Sequence, residues 1–381
     1  MMELIRTYKY RLYPNKSQSE SLDEMLAQHR YAYNRALGLR IMAYKEFGVS
    51  LSAYDQCKLL KGMRRKKLSR IPAHSFQNTL KRLDKSYKSF FRRVKSGQEK
   101  AGFPRFKSYH RFKSFVFVYD IGATVVNTGV KHKLRIQNIG LVNTKWHREL
   151  PEGAEPKCLI VKRSSSGKWY VCVQFKYEKH IPKRETKTVG IDVGLSHLVA
   201  TSDGEFFDSP KYYRTSQKKL RVIQRRVSKR KKGSIRRRKA VKLLAIQHEY
   251  IANQRLDFIH KVSRQLVNNY SHIALEKLPL RFMTKNKHLA KTTHDVAIGK
   301  FRELLCYKAE EAGGMVVFVN PKDTSQMCSN CGCIVKKGLS IRTHNCPHCG
   351  FVEDRDVNAA INIKVRSDRA FRHQRKSLDY A

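Results

Sequence analysis

The run Val189-Gly-Ile-Asp-Val-Gly194 is the stretch from which the fold is best inferred. It is short and apolar, as a buried strand is, yet it carries an acid, Asp192, near its end. The glycine that follows, Gly194, lets a ligand approach the backbone. From Thr188 onward, short apolar runs alternate with long helical stretches. This part of the chain is therefore predicted to be a mixed sheet flanked by helices.

Two further acids occur in similar settings, far from the first in sequence. Glu276 ends the apolar run His272-Ile-Ala-Leu-Glu276, and Asp356 stands where a helix is predicted to begin. Taken singly, each acid has an ordinary alternative: a loop acid, an ion pair with Lys277 or Arg281, or a helix N-cap. Strand ends that meet a helix start are where α/β folds place their sites, so we predict that the three carboxylates converge. Such a cluster would hold divalent metal ions for phosphodiester cleavage.

The charge of the chain indicates a polyanionic partner. Its 381 residues include 79 Lys and Arg against 31 Asp and Glu, a formal net charge of +48. Repulsion of this size is most simply offset by nucleic acid, which binds through its phosphates. No run approaches the ~18 consecutive apolar residues of a membrane-spanning helix. The N-terminus also lacks the apolar stretch of a signal peptide, so we expect no membrane partner.

Three patterns follow one another in the first half of the chain. Residues 4–13 alternate apolar or aromatic with basic residues, which predicts a half-buried strand. Residues 17–95 have apolar residues at helical spacing. Residues 115–180 contain short strand-like runs and a hairpin turn at Ser165-Ser-Gly-Lys168. A strand, a helical insertion and further strands predict a β-barrel interrupted by a helical domain.

The segment from Lys218 to Lys239 has thirteen Lys and Arg and no acid. Leu220, Ile223 and Val227 keep one apolar stripe, so the segment is predicted to form a docked helix. A solvated helix face normally mixes charge signs, because opposite charges four residues apart stabilise a helix. An unmixed face predicts contact with a nucleic-acid backbone instead. The residues assigned to this contact are Lys218, Lys219, Arg221, Arg225, Arg226, Lys229, Arg230, Arg236 and Arg237.

Aromatic and basic residues are interleaved between Phe103 and Phe115. Aromatic rings can stack on unpaired bases, which stabilises binding by about 1–3 kcal/mol per base. They are equally ordinary core residues. We predict that Tyr109 and Phe112 contact nucleic acid, with core packing as the open alternative.

Five of the nine cysteines crowd into one short stretch near the C-terminus. Among them are two CxxC pairs, Cys328 with Cys331 and Cys346 with Cys349, each followed directly by a glycine. Each pair can supply two thiolates from one tight turn, and together the pairs can complete a tetrahedral Zn²⁺ site. Four thiolates close the coordination sphere, so the ion is expected to be structural. A redox-active cysteine pair is the alternative.

Several longer motifs, taken together, resemble one known family. They are Tyr8-Lys-Tyr-Arg-Leu-Tyr-Pro14, His29-Arg-Tyr-Ala-Tyr-Asn34, Gly102-Phe-Pro-Arg-Phe-Lys107, Gly190-Ile-Asp-Val-Gly194, Leu275-Glu276, Ser325-Gln-Met-Cys-Ser-Asn-Cys-Gly332 and Asp354-Arg-Asp-Val-Asn-Ala-Ala360. The last two, in this order and separation, are highly specific. Over nearly its whole length the chain resembles TnpB, the transposon-encoded RNA-guided nucleases that are the apparent ancestors of type V CRISPR effectors.

The resemblance implies a multidomain α/β protein. It would combine an RNase H-like (RuvC) nuclease domain, carrying a zinc-ribbon insertion, with a wedge β-barrel interrupted by a helical recognition domain. The expected bounds are 1–14 and 112–185 for the wedge barrel, 15–111 for the helical domain, 186–325 and 352–370 for the nuclease domain, and 326–351 for the zinc-binding, target-nucleic-acid-binding module. Residues 371–381 are expected to be a disordered tail, since they are basic and poorly patterned.

The resemblance also implies site residues and partners. Asp192, Glu276 and Asp356 match the catalytic acids of the family, with Asp354 in reserve for the third position. The acids would hold two Mg²⁺ ions and the cysteines one Zn²⁺. A guide RNA from the transposon end would direct cleavage of double-stranded DNA beside a short transposon-adjacent motif. The expected location is the cytoplasm of a prokaryote.

Two other functions agree with parts of the pattern. Some family members have lost the acids and act as RNA-guided repressors, so an RNA-guided DNA-binding protein that acts in repression or transposition without cleavage is the main alternative. A transposase that joins strands itself would also use an RNase H-like acidic triad. Acids at all three positions favour an active nuclease.

Overall fold

The computed structural model divides into two compact units, Met1–Lys179 and His180–Ala381. It describes residues 2–97, 101–128, 132–181, 184–195, 197–278, 290–338 and 341–379. Within these ranges, no helix is long and apolar enough to cross a membrane.

The first unit opens with a strand and four helices. β1 (Met2–Tyr13) is followed by α1 (Lys16–Phe47), α2 (Ala53–Leu59), α3 (Lys61–Lys67) and α4 (Ala73–Lys95). α1 begins at a capping box in which Asn15 and Gln18 each accept a hydrogen bond from the backbone N–H of the other. It ends at Gly48, whose φ of 65° is a left-handed conformation that favours glycine.

Six further strands join β1 in one antiparallel sheet. They are β2 (Ser114–Val118), β3 (Ala123–Asn127), β4 (His132–Ile136), β5 (Gly140–Lys145), β6 (Glu155–Arg163) and β7 (Trp169–Lys179). The strand order is β2-β6-β7-β1-β5-β4-β3. The two edge strands, β2 and β3, follow each other in the chain, and an isolated bridge joins Tyr119 with Ala123. The sheet is therefore nearly barrel-like, as predicted.

One hydrophobic core joins this sheet to the helices. His29 of α1 is buried at its centre, with its ring stacked on Phe115 of β2 and its Nδ1 2.7 Å from the Thr79 hydroxyl of α4. Burial lowers the pKa of His29 to about 3, so the ring is neutral there. The helical residues and the barrel strands thus share one core within a single compact unit.

The second unit contains a five-stranded mixed sheet. Its strands are β8 (Thr188–Asp192), β9 (His197–Thr201), β10 (Phe206–Asp208), β11 (His272–Glu276) and β12 (Met315–Val319). The order is β10-β9-β8-β11-β12. The first three strands are antiparallel neighbours, whereas β8, β11 and β12 run parallel. This is the mixed sheet that the alternating pattern predicted.

Among the described residues, six helices and a small hairpin accompany this sheet in the second unit. They are α5 (Tyr212–Thr215), α6 (Gln217–Ser228), α7 (Ile235–Asn269), α8 (Ala290–Val296), α9 (Ile298–Glu311), the hairpin strands β13 (Thr343–Asn345) and β14 (Val352–Asp354), and α10 (Arg355–Asp379). Val189 and Ile191 of β8 share a core with α7 and α9. α10 packs with Ala274 of β11 in a separate core, so it covers the opposite face of the sheet.

The structure corrects the prediction that residues 371–381 form a disordered tail. α10 continues to Asp379, and Phe371 is buried with its ring edge-on to His272 of β11. Phe371 anchors the helix to the core. Among the described residues, the preceding member of this core on α10 is Ile363, eight positions earlier. The sequence pattern was too sparse to show that the helix would still reach the sheet.

α10 crosses β8 at Gly190 with backbone against backbone. An alanine Cβ at this position would overlap the Ala360 carbonyl oxygen and lie 2.6 Å from the Lys364 nitrogen. Neither backbone atom can rotate away as a flexible side chain would. The glycine is therefore required for α10 to lie against β8.

Replacing Gly190 by alanine is expected to destabilise the protein by about 1–3 kcal/mol or more, because the added methyl group must displace α10. Urea unfolding would measure the change. Gly62→Ala is the matched control: Gly62 lies in α3 with open space around it, so the same substitution should be neutral or stabilising. An unfolding midpoint for Gly190→Ala equal to that of the parent protein would contradict this packing.

Candidate metal centres

Two of the three predicted acids lie side by side at one edge of the second sheet. Asp192 ends β8 and Glu276 ends β11, and these parallel strands pair with Leu275 opposite Ile191. The acids are therefore the next residues in register, on strands about 4.8 Å apart. Because side chains alternate along a strand, both acids point to the face on which Gly190 and Ala274 meet α10.

The third acid, Asp356, is placed by α10. It lies in the first turn of this helix and is 7% exposed. The cap of the helix is Asp354, whose Oδ1 accepts hydrogen bonds from the backbone N–H groups of Asp356 (2.7 Å) and Val357 (3.2 Å). The reading of Asp356 as an N-cap is therefore wrong, and the cap explains the role of Asp354.

The electrostatics place the negative charges of Glu276 and Asp356 close enough to Asp192 to affect its ionisation. Burial, and then the negative charges of Glu276 and Asp356, raise the pKa of Asp192 to about 8. Burial also raises the pKa of Glu276, against the opposing effect of a hydrogen bond from the Thr324 hydroxyl. The guanidinium of Arg355 offsets part of the repulsion, since it lies 3.1 Å from Asp356 and favours the charged form of Asp192.

Other pairings weighed for Glu276 are not seen. Lys277 is exposed, and no ion pair links it to Glu276 among the described residues. Arg281 lies outside the described residues. The neighbours of Glu276 are instead Thr324, which donates to its Oε1, and Arg302, which donates to its backbone oxygen.

Several supporting residues were not predicted from the sequence. Asn358 of α10 donates to the Met327 oxygen (2.9 Å) and accepts from the Ser329 N–H (2.9 Å). Asn362 donates to the oxygens of Thr324 (2.9 Å) and Met327 (2.7 Å). Both asparagines are buried. Their sequence signal is a pair of amides four residues apart inside an otherwise apolar helical run, where buried polar groups need specific partners.

The acidic set fits divalent cations in its chemistry. Its donors are carboxylate oxygens, which Mg²⁺ prefers, and their mutual repulsion is what a cation relieves. Among the described residues, the four cysteines are the set of metal-ligating side chains whose donor atoms all lie within 4.8 Å of one another.

The four predicted cysteines converge on one point. Cys328 Sγ lies 3.8 Å from Cys349 Sγ, and Cys331 Sγ lies 3.6 Å from Cys346 Sγ. Four sulfurs bound tetrahedrally at about 2.3 Å from one Zn²⁺ would be about 3.8 Å apart. The thiolates therefore have the spacing of a closed tetrahedral metal site.

The two cysteine turns have the same backbone geometry. In each, the N–H of the glycine after the second cysteine donates to the oxygen of the first: Gly332 to Cys328 and Gly350 to Cys346, both at 2.9 Å. Both glycines have left-handed φ angles, 78° and 72°. A side chain would be strained there, which explains the glycine after each pair.

The predicted basic residues form a solvent-facing surface on α6, the following turn and the start of α7. All nine are exposed except Arg237, which is half-buried, while Leu220 is buried beneath them. Among the described residues none of the nine has an ion-pair partner. The short helix α5, which precedes α6, is held by Asp295 of α8, whose Oδ1 accepts a hydrogen bond from the Tyr213 N–H at 3.0 Å.

The two predicted aromatic contacts have different outcomes. Tyr109 is 51% exposed, and its hydroxyl accepts a hydrogen bond from Arg163. Phe112 is only 4% exposed, because it packs between the Tyr33 ring and the Arg82 guanidinium. The prediction that Phe112 stacks on a base is therefore wrong, and the core alternative holds.

Three family profiles match the chain. One, described as "Cas12f1-like, TNB domain", matches residues 299–363, and one described as "Probable transposase" matches residues 170–287. A third, described as "Helix-turn-helix domain", matches residues 1–48. In the structure, residues 2–47 of that last segment form strand β1 and the single long helix α1.

Two relatives that match the chain over most of their length are both named as RNA-guided DNA endonucleases. The chain is 32% identical to a "Putative RNA-guided DNA endonuclease" of Streptomyces pristinaespiralis, over 95% of this chain and 89% of that protein. It is 28% identical to the "Putative RNA-guided DNA endonuclease InsQ" of Escherichia coli K12, over 95% and 92%. The fold is similar to the chain in "Cryo-EM structure of the Cas12f1-sgRNA-target DNA complex", with a TM-score of 0.65, 14% identity, and coverage of 95% and 99%.

The fold is thus that of the Cas12-type effectors. The full-length similarity to the Streptomyces protein, together with the matched profiles, shows that the chain belongs to the TnpB family of insertion-sequence proteins, as its motifs predicted.

Replacing Asp192 by asparagine is expected to stabilise the protein when no divalent ion is added. A carboxyl group whose pKa is higher in the folded than in the unfolded chain holds its proton more tightly when folded. The folded state therefore loses stability as the pH rises from near 4 to about 8. An uncharged amide avoids this loss, so Asp192→Asn should raise the free energy of unfolding by a few kcal/mol at most, at about 1.4 kcal/mol per pKa unit.

Urea unfolding of the two proteins, near pH 4 and near pH 8, would measure this effect. The gain should be present at the higher pH and largely absent at the lower one. A variant that is less stable than the parent protein near pH 8 would contradict the assigned repulsion.

Proposed function

We propose that this protein is an RNA-guided endonuclease that cleaves double-stranded DNA next to a short transposon-adjacent motif. Its family and its full-length relatives named as RNA-guided DNA endonucleases support the proposal. The observation that carries it is the placement of three acids: Asp192 and Glu276 end adjacent parallel strands, and Asp356 lies in the first turn of the helix that packs against β8. A guide RNA from the transposon end would select the DNA by base pairing, while the protein contacts the heteroduplex and the motif.

The second unit is the proposed nuclease domain, of RNase H-like (RuvC) type. An antiparallel meander, β10-β9-β8, followed by the parallel strands β11 and β12, supports this assignment. The proposed zinc-binding module, residues 326–351, is an insertion between β12 and α10. The wedge barrel and the helical recognition segment would make up the first unit.

In the proposed mechanism, Asp192, Glu276 and Asp356 would hold two Mg²⁺ ions through their carboxylate oxygens. When bound, the ions supply an activated water and stabilise the leaving 3′-oxygen in an in-line displacement at phosphorus. The chain itself contributes placement. The two strand ends fix Asp192 and Glu276, and the Asp354 cap fixes the first turn of α10 on which Asp356 lies.

Two further groups of this chain serve the same chemistry. The Thr324 hydroxyl holds one oxygen of Glu276, which limits the orientations of that carboxylate. Arg342 and Arg355 place guanidinium groups 3.5 and 3.1 Å from Asp356. Their positive charge favours the approach of an anionic phosphodiester to an otherwise acidic site.

The basic residues of α6 and α7 are proposed to bind the nucleic-acid backbone. Their exposure and the lack of ion-pair partners among the described residues support this role. Tyr109 stays a proposed stacking residue, because half of its surface is exposed. Binding through this surface should weaken steeply with salt, since each neutralised phosphate releases counterions.

Asp192→Ala should reduce guided DNA cleavage to the uncatalysed background and leave guide and target binding intact, because it removes a proposed metal ligand. Cleavage of a matched plasmid by the purified protein–RNA complex with Mg²⁺ would measure activity, and gel shift would measure binding. Normal cleavage by Asp192→Ala would refute the site. Binding without any cleavage by the parent protein would instead support a guided DNA-binding protein.

Asp354→Asn is the matched control for an acid in the same motif. Asparagine caps helices as well as aspartate does, so the variant should keep both its stability and its cleavage. Asp354→Ala should lose about 1 kcal/mol of stability through the missing cap. A complete loss of cleavage in Asp354→Asn would show that Asp354 is itself a metal ligand.

The four-cysteine site is proposed to hold one structural Zn²⁺. The sulfur spacing and the paired turns support it, and four protein ligands leave no open position for catalysis. Bound zinc would fix the segment from Met327 to Ser329, which Asn358 then joins to α10.

Elemental analysis of the purified protein is expected to give about one zinc per chain, because four thiolates converge on one point. Cys346→Ser should lose the zinc and unfold at a lower temperature. Cys333→Ser is the matched control, since Cys333 is a neighbouring thiol outside the converging set. Full zinc content in Cys346→Ser, or its loss in Cys333→Ser, would contradict the proposed ligand set.

A further inference from the structure

A pocket of about 470 Å³ lies in the first unit, far in sequence from the acidic and cysteine sites. Its walls are α1, α4 and the loop of residues 102–107. This volume is in the range of sites that hold one small ligand. The pocket contains the motif Gly102-Phe-Pro-Arg-Phe-Lys107, to which neither proposed metal site gives a role.

The pocket lining is positively charged. It includes Lys85, Arg93, Arg105, Lys107 and Arg111, and none of its lining residues is acidic. Among the described residues none of the five has an ion-pair partner, and cations this close together repel one another, so the pocket favours an anionic ligand. Arginine also suits phosphate, because its planar fork donates two parallel hydrogen bonds.

The pocket also offers aromatic surface. Phe103 and Phe106 line it and are 47% and 56% exposed. Phe103 is held edge-on by the rings of Tyr87 and Phe90, with centroids 5.5 and 5.3 Å away. Phe106 packs beside Gly38 of α1. Exposed rings that are held in place can stack on a planar ligand at little cost in entropy.

Two buried polar atoms of the lining lack a hydrogen-bond partner. Tyr33 is only 3% exposed and lines the pocket, and its hydroxyl bonds to no group among the described residues. The same holds for Nε of Arg93, whose Nη2 donates to the Gly102 oxygen at 3.1 Å. Buried donors normally have partners, so a ligand acceptor that reached either atom would satisfy it.

The loop that forms one wall is fixed in place before any ligand binds. Asn34 of α1 accepts from the Lys107 N–H at 2.7 Å and donates to the Lys107 oxygen at 3.0 Å. This two-bond clasp ties the end of the loop to α1. A preformed pocket avoids the ordering cost that a mobile loop would add to binding.

We propose that this pocket binds one unpaired nucleotide of a single-stranded nucleic acid. The base stacks on Phe106 or Phe103, and phosphate oxygens accept hydrogen bonds from Tyr33 and Arg93. A nucleotide is the ligand class that combines a flat aromatic ring with the negative charge that these residues require. The inference rests on nucleic-acid binding in the proposed function and adds to it a specific site for one flipped-out nucleotide.

The test uses the full-length protein and ten-nucleotide single strands, of RNA or of DNA, that carry one photoreactive 5-iodouracil. Crosslinking at raised salt suppresses non-specific phosphate binding. Mass spectrometry should then locate the crosslink on Tyr33, Phe103 or Phe106. Preference for the RNA strand would assign the pocket to the guide, and preference for the DNA strand to an unpaired strand of the target.

Matched variants separate the pocket from the general charge of the protein. Tyr33→Phe removes only the unpartnered hydroxyl, and it and Phe106→Leu are each expected to reduce crosslinking about tenfold. Phe91→Leu and Arg92→Gln are the controls: both residues are exposed, lie on α4 and are absent from the pocket lining. Neither should change crosslinking by more than about twofold.

The outcomes distinguish this inference from the nuclease proposal. Crosslinks that map elsewhere, or that persist in Tyr33→Phe and Phe106→Leu, overturn the pocket even if guided cleavage is normal. Equal losses in the control variants overturn it as well. Crosslinks confined to the pocket in a protein that does not cleave support the pocket and count against the nuclease proposal alone.

Discussion

The geometry of the acidic site depends on the backbone contact between α10 and β8 at Gly190. No side chain separates the two elements there, because a Cβ atom would overlap the Ala360 oxygen. How closely α10 approaches the strand is thus limited mainly by main-chain atoms. Asp192 lies two residues after Gly190 on β8, and Asp356 lies four residues before Ala360 in the first turn of α10. The contact at Gly190 therefore also affects the relative position of these two acids. Side-chain repacking elsewhere in the core cannot readily change their relative position.

This contact holds together groups that repel one another. Burial and like charge raise the pKa of Asp192 to about 8, so the cluster costs stability when it is ionised without a cation. The structure offsets the cost locally. Thr324 holds Glu276, Arg355 pairs with Asp356, and the Asp354 cap secures the helix start. Carboxyl groups with pKa values shifted in this way are common at functional sites.

Much of the molecule follows from local sequence patterns, and the remainder depends on contacts that such patterns do not contain. Short apolar runs ending in acids predicted β8, β11 and the sheet edge, and cysteine spacing predicted the converging thiols. Periodicity marked Phe112 as apolar but could not tell a core ring from a base-stacking one. The shared core of barrel and helices rests on pairs such as His29 with Phe115, distant in sequence. β3 and β5 each bury only one residue, so their apolar pattern in the sequence is weak.

The buried amides of Asn358 and Asn362 have a consequence for how this architecture can vary. They bind the start of the cysteine module at Met327, and a later residue of the module, Arg342, accepts a hydrogen bond from the Arg355 N–H at 2.7 Å through its backbone oxygen. Met327 and Arg342 are thus both held beside α10. The stretch between Cys331 and Arg342 carries none of the four converging cysteines, so length changes or grafted peptide segments placed there should leave both the cysteine site and the helix in position.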